Sequence, residues 1–165
     1  QLAANTIDLY IRKREVYKPS AEELTPEMAF SRAGAFVSIH EKGELRGCIG
    51  TILPVRSCIA EEILHNAVSA ASEDPRFDPI QPEELPYLES SVDVLTKPER
   101  ISGPQELDVK RYGVIVSCGR RRGLLLPDLD GVDTVEEQIS IARSKGGISE
   151  REPVVLERFE VIRHH

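Results

Sequence analysis

The sequence lacks the features that mark membrane, secreted and nucleic-acid-binding proteins. No apolar run approaches the length of a bilayer span, and no signal-peptide pattern opens the chain. Only three cysteines are present, at positions 48, 58 and 118, and their odd number without framework spacing predicts reduced thiols in a cytoplasmic protein. A formal net charge of -7 argues against nucleic acid or a membrane surface as a partner.

The motifs of nucleotide and hydrolase chemistry are also missing. The chain contains no Walker A loop, no Gly-x-Gly-x-x-Gly and no Gly-x-Ser-x-Gly. His40 and His65 stand apart from any third clustered ligand, so we predict no tight intrinsic metal site and no cofactor.

The composition is that of a folded protein rich in turns. Of the 165 residues, 40% are hydrophobic, and there are 11 glycines and 11 prolines. This length fits one domain or two small, closely packed subdomains. The chain opens with Gln1 rather than methionine, so we expect a processed chain or a domain cut from a longer protein.

Apolar periodicity predicts an α+β fold with antiparallel hairpins. Helical spacing covers residues 3–15, 57–72 and 134–145, with Ser57 and Thr134 as the expected N-caps of the last two helices. Strand patterns cover residues 34–40, 45–50, 88–95, 112–118, 124–126 and 155–161, and the first and fourth of these open hairpins at 34–49 and 112–126. Hairpins and helices alternate without regular βαβ units, which favours α+β over a parallel α/β fold.

One hexapeptide, Leu45-Arg46-Gly47-Cys48-Ile49-Gly50, concentrates the chemistry of the chain. Glycine inside a strand usually marks a bulge or the close approach of another backbone or a ligand. Arg46 and Cys48 are two residues apart, so a regular strand places them on one face, where the cation would favour the thiolate. A hairpin turn centred on Lys42-Gly43 would place Arg46 opposite Ile39 and Cys48 opposite Val37, on the apolar face. A bulge would shift this register by one residue and expose the thiol.

Two roles for Cys48 therefore remain open, a nucleophile or a buried structural thiol. His40 or Asp74 would assist the nucleophile. Cys58 and Cys118 have no fixed adjacent cation on the same predicted face, so an accessible Cys48 should be the fastest of the three to alkylate.

The two arginines Arg46 and Arg76 also have two interpretations. Guanidinium groups bind carboxylates and phosphates through paired hydrogen bonds, so both arginines could flank one anion pocket, with Asp74 orienting one of them and Cys48 in its wall. Alternatively, Arg46 pairs with Asp74 or with a helix C-terminus and only stabilises the fold.

The hexapeptide resembles the signature of the AMMECR domain, and the resemblance extends through nearly the whole chain. The block Asp74-Pro75-Arg76-Phe77 matches the second block of that family, although Asp78 follows where an apolar residue or proline is expected. Further similar blocks are found at residues 34–37, 91–95, 123–127, 134–147 and 158–160. The resemblance implies one AMMECR-type domain over residues 1–165, built of two packed α/β subdomains with the signature residues near the cleft between them.

The same resemblance implies partners and a label, AmmeMemoRadiSam system protein A. Domains of this kind are encoded with, or fused to, a Memo-type protein similar to class III extradiol dioxygenases, and with a radical S-adenosylmethionine protein. We therefore expect an accessory component that binds a small anionic ligand or a modified partner segment near Arg46, Gly47, Asp74 and Arg76. The alternatives are a cysteine-dependent enzyme using Cys48, and an interaction module in which the motif is structural.

Overall fold

A computed structural model describes all residues from Gln1 to His165. It contains four α-helices, α1 (Leu2–Lys13), α2 (Pro26–Phe30), α3 (Ile59–Ser72) and α4 (Val135–Lys145). It contains eight strands, β1 (Ala35–Glu41), β2 (Glu44–Gly50), β3 (Leu88–Leu95), β4 (Glu99–Ile101), β5 (Gly113–Cys118), β6 (Arg121–Leu125), β7 (Val155–Phe159) and β8 (Val161–His164). Short 3-10 helices span Ala21–Glu23, Pro82–Tyr87 and Pro104–Glu106. No helix is both long enough and apolar enough to cross a bilayer.

The chain divides into two compact units, residues 1–95 with 162–165, and residues 96–161. The first unit is a four-stranded sheet with strand order β2-β1-β3-β8, in which both pairings of β1 are antiparallel. Alternate residues of β1, namely Ala35, Val37 and Ile39, are fully buried and belong to one core with apolar residues of α1 and α3. The period of two in β1 therefore gives this sheet its apolar face.

The second unit is a four-stranded sheet with strand order β4-β7-β5-β6 and one helix, α4. Its core contains Val114 and Val116 of β5, Leu125 of β6, Leu156 of β7 and Ala142 of α4. Thr134 caps α4, since its hydroxyl accepts a hydrogen bond from the backbone N–H of Glu137 at 3.1 Å.

The structure confirms the α+β fold and the two predicted hairpins. Some details differ from the sequence prediction. The N-cap of α3 is Cys58, because Ser57 is bonded to the Glu61 carboxylate instead. The helix α2 and the short strands β4 and β8 were missed, because segments of three to five residues are too short to show a clear period.

Of the two registers that the sequence left open for the first hairpin, the structure has the bulged one, shifted by one residue from the regular pairing. Ile39 pairs with Gly47 rather than Arg46, and Ser38 rather than Val37 pairs with Cys48. The shift lies between Ile39 and His40, where Arg46 is the extra residue of β2. The bulge thus moves Cys48 off the apolar face of the sheet.

Gly47 is required by close packing between β2 and α3. A Cβ atom at Gly47 would lie 2.2 Å from the backbone oxygen of Ala70, which is far inside van der Waals contact. Backbone cannot move aside as a flexible side chain can, so any side chain here would force the strand and the helix apart.

We therefore expect Gly47→Ala to lower the free energy of unfolding by about 3 kcal/mol, as overpacking does. Gly119→Ala is the control, because a Cβ at Gly119 meets open space and only the positive φ of 62° opposes it, which costs about 1 kcal/mol. Urea denaturation of both variants measures the difference. Equal losses would mean that the approach of Ala70 is not a constraint.

Candidate functional site

The hexapeptide strand β2 lies at an edge of the first sheet, and the Asp74–Phe77 block covers it there. The Asp74 carboxylate is buried and accepts a hydrogen bond from the backbone N–H of Cys48 at 3.0 Å. Arg76 donates through Nη2 to the backbone oxygen of Cys48 at 3.3 Å. A carboxylate and a guanidinium thus satisfy the two backbone groups of Cys48, as a further strand would.

Asp74 and Arg76 also form a salt bridge with each other. Arg76 donates through Nε to Asp74 Oδ1 at 3.0 Å and through Nη2 to Oδ2 at 2.7 Å, and its own backbone N–H bonds Oδ1 at 3.1 Å. The hydrogen bonds from the Arg76 side chain, above all, hold the pKa of Asp74 well below its usual range. The Arg76 side chain is 55% exposed, and its Nη1 makes no hydrogen bond within the protein.

Arg46 does not pair with Asp74, so the partner proposed for it in the structural interpretation is wrong. Its guanidinium bonds the Glu84 carboxylate at 2.8 and 3.2 Å and the backbone oxygen of Asp78 at 2.8 Å, and it lies 3.7 Å from Glu41. Because the bulge makes Arg46 the extra residue of β2, its side chain reaches the segment that follows Phe77. Arg46 is largely buried in this network and anchors that segment to the hairpin.

The pKa values of the two carboxylates around Arg46 are shifted in opposite directions. The hydrogen bond from Arg46 is the main cause that lowers the pKa of Glu84. Burial and the contact with Glu84 raise the pKa of Glu41, which is the more distant of the two from the guanidinium.

Phe77 brings both arginines together. Its ring centroid lies 6.0 Å from the guanidinium carbon of Arg46 and 5.4 Å from that of Arg76. The two motifs are therefore adjacent, although only Arg76 presents an unbonded edge of its guanidinium. The prediction that both arginines flank one ligand pocket stays a prediction.

Cys48 is half-buried, and its sulfur lies 3.4 Å from the hydroxyl oxygen of Ser38 on the paired strand. Burial raises the pKa of the Cys48 thiol, and the Ser38 hydrogen bond and the charge of Arg76 offset this in part. The cation that acts on this thiol is thus Arg76 and not Arg46. A thiol whose pKa is raised is protonated at neutral pH, which weakens the nucleophile hypothesis.

The histidines add no base and no metal cluster to this site. His40 pairs with Leu45 on the far side of the bulge and makes no hydrogen bond to Cys48, and His65 lies exposed on α3. No group of three or more His, Cys, Asp or Glu side chains lies close enough together to hold a metal ion.

Three participants were missed by sequence reasoning, namely Ser38, Glu84 and Asp93. Glu84 is 38 residues from Arg46 along the chain, so no local pattern links the pair. Asp93 is buried, bonds Arg163 at 2.7 Å and acts on the Cys48 thiol as a negative charge. Only the sheet pairing, which sets Ser38 between Cys48 and Ser91, could have indicated Ser38.

Cys118 does have a fixed cation, contrary to the sequence prediction. It pairs with Arg121 across the second hairpin, and Arg121 Nη2 lies 3.5 Å from its sulfur. Arg121 and Arg122 belong to β6, where they form ion pairs with Glu152 and Glu157.

The fold and the site define an α+β protein in which a glycine-containing edge strand is capped by an aspartate–arginine block. The AMMECR1 family model matches residues 1–164. A protein of Thermotoga maritima is 51% identical, over 98% of this chain and 94% of its own length. The chain therefore belongs to the AMMECR1 family, which confirms the resemblance noted in the sequence.

Two further relatives differ from this chain in length or identity. A protein of Clostridium acetobutylicum is 47% identical over 99% of this chain, but this chain covers only 35% of that protein. The crystal structure of uncharacterized protein PH0010 from Pyrococcus horikoshii matches with a TM-score of 0.89 at 30% identity, over 98% of this chain and 86% of that one.

Asp74→Asn should lower the free energy of unfolding at pH 7 by about 2 kcal/mol, because it breaks a buried charged hydrogen-bond network. The folded-state pKa of Asp74 is depressed, so its contribution is present above the unfolded pKa of about 4 and is lost as pH falls below it. The difference in free energy of unfolding between wild type and variant should therefore shrink on acidification.

The control is Asp8→Asn, which removes the exposed partner of Arg12 and should change the free energy of unfolding little. A pH-independent difference would contradict this account.

Limiting iodoacetamide should label Cys118 faster than Cys48, because burial raises the pKa of the Cys48 thiol and Arg121 lies beside Cys118. Arg121→Ala should slow labelling at Cys118, and Arg46→Ala should leave Cys48 unchanged. Peptide mapping by mass spectrometry measures all three cysteines together. Fastest labelling at Cys48 would restore the nucleophile hypothesis.

Proposed function

We propose that this chain is an accessory component of the AmmeMemoRadiSam system that binds an anionic group at the hexapeptide strand. The group belongs to a small molecule or to a modified segment of a partner protein. The observation that carries the proposal is the guanidinium of Arg76, which is half exposed, oriented by a buried carboxylate and unbonded at Nη1.

The chemistry of recognition rests on Arg76. The fork of its Nε and Nη2 is held by Asp74, so the side chain loses little conformational freedom when a carboxylate or phosphate oxygen binds Nη1. The Cys48 thiol and the Ser38 hydroxyl, 3.4 Å apart, would add neutral hydrogen-bonding groups beside the bound anion.

The other motif residues support this site without contacting the ligand. Gly47 allows β2 to pack against Ala70, and Arg46 anchors the segment after Phe77 through Glu84. This division departs from our initial expectation that Arg46 and Gly47 bind the ligand themselves.

The partners are proposed from the family resemblance. A Memo-type protein and a radical S-adenosylmethionine protein would supply the metal and radical chemistry that this chain is not expected to perform. The Clostridium acetobutylicum relative extends well beyond this domain, since the chain covers only 35% of it. A cytoplasmic location remains part of this proposal.

A second candidate is an interaction module in which the motif only maintains the fold. It is favoured by the capping of the Cys48 backbone by Asp74 and Arg76, which any edge strand would need. Anion binding by Arg76 distinguishes the two candidates.

Thermal melts with phosphate, pyrophosphate and succinate test the anion site. At 100 times its dissociation constant, a bound anion should stabilise the wild type by roughly 2.7 kcal/mol. Arg76→Ala should lose this ligand-induced gain whatever its own stability, and Arg76→Lys should keep part of it. Arg12→Ala is the matched control, because Arg12 is also 55% exposed and pairs with an aspartate.

No stabilisation of the wild type by any of the three anions, or an equal gain in Arg76→Ala, would overturn anion binding at this site. The accessory role is tested separately, by comparing the activity of the purified Memo-type and radical proteins with and without this chain. An unchanged activity would contradict that role.

A further inference from the structure

Two neighbouring loops of the first unit expose large apolar side chains. Phe30, at the end of α2, is 85% exposed, and Val55, in the loop between β2 and α3, is 66% exposed. Leu53 of the same loop is also exposed. We call residues 30–32 and 51–57 the apolar loop pair. Single exposed apolar residues are ordinary, but three on adjacent loops form a candidate interaction surface.

A buried glutamate holds the second of these loops in place. The Glu62 carboxylate, buried on α3, accepts hydrogen bonds from the Thr51 hydroxyl at 2.6 Å, from the backbone N–H of Arg56 at 2.6 Å and from that of Val55. A buried charge is tolerated only when it is well bonded, and here the hydrogen-bond donors to the Glu62 carboxylate belong to Thr51, Val55 and Arg56. The loop that carries Leu53 and Val55 is therefore preorganised.

Further hydrogen bonds tie the two loops to each other. Arg32 donates to the backbone oxygens of Arg56 at 3.0 Å and of Pro54 at 3.3 Å, and the Ile59 N–H donates to the Ser31 oxygen at 2.9 Å. The apolar side chains that flank these contacts are thus presented together.

The charges of the surface indicate the chemistry of its occupant. Arg32 and Arg56 are exposed, and neither has a carboxylate within ion-pair distance, in a chain whose net charge is -7. The exposed Glu61 accepts hydrogen bonds from Ser57. These bonds lower the pKa of Glu61 more than the charge of Arg56 does. Two unpaired guanidinium groups beside apolar side chains complement a segment that carries carboxylates and apolar groups.

We propose that the apolar loop pair is a docking surface for a partner protein segment with apolar and acidic side chains. Aromatic and arginine residues are the types most often found at interface hot spots, and this surface offers Phe30, Arg32 and Arg56. Its rigidity lowers the entropy that binding must overcome. The surface shares no residue with the anion site at Arg76, so each proposal can be tested and rejected independently of the other.

Selection of a displayed library of random 16-residue peptides on the purified full chain tests the proposal. The enriched peptides should carry apolar side chains and a net negative charge. Val55→Ser should weaken a selected peptide by about tenfold, because it removes apolar contact area, and Arg56→Glu should weaken it in a salt-dependent way. Val16→Ser is the matched control, because Val16 is 63% exposed and lies elsewhere on the chain, and it should leave binding unchanged.

Thermal melts of the three variants should match the wild type, so a loss of binding cannot be attributed to unfolding. Peptides without acidic residues, binding that survives Val55→Ser, an equal loss in Val16→Ser, or no enrichment at all would each overturn the proposal.

Discussion

The hydrogen bonds between the Asp74 block and the backbone of Cys48 are the contact on which the rest of this site depends. They close an edge of the first sheet at β2, where unpaired backbone groups would otherwise invite pairing with another chain. Within the same block, the paired hydrogen bonds from Arg76 to Asp74 fix the direction of the Arg76 guanidinium. A single buried carboxylate thus joins the two most distinctive motifs of the sequence and positions the exposed cation beside them.

Two residues of the hexapeptide, Gly47 and Arg46, make contacts that hold the fold together. Gly47 is needed because Ala70 of α3 leaves no room for a Cβ, and the bulge that makes Arg46 the extra residue sends its side chain to Glu84 rather than toward Cys48. In our proposal, the ligand binds the outer edge of Arg76, beside the Cys48 thiol. This separation of structural and binding roles explains why a motif that contains arginine and cysteine does not have to be catalytic.

Two buried carboxylates of the first unit, Asp74 and Glu62, each hold an exposed part of the structure in a fixed orientation. Asp74 orients Arg76, and Glu62 orients the loop that presents Val55. In both cases a charge that is costly to bury is satisfied by hydrogen bonds, and an exposed group gains a fixed direction. The two surfaces that we propose for binding are accordingly the rigid ones, since preorganisation reduces the cost of association.

The sequence by itself determined the α+β class, the two hairpins and the family, because these depend on local periodicity and on motifs read along the chain. Sequence also indicated Asp74, Arg76 and Cys48 as neighbours. Only the tertiary structure decided which arginine serves which carboxylate, because the bulge shifts the register by one residue and the Arg46–Glu84 pair spans 38 positions. The state of the Cys48 thiol likewise depends on burial and on charges from the Asp74–Phe77 block and from β3, which no spacing in the sequence records.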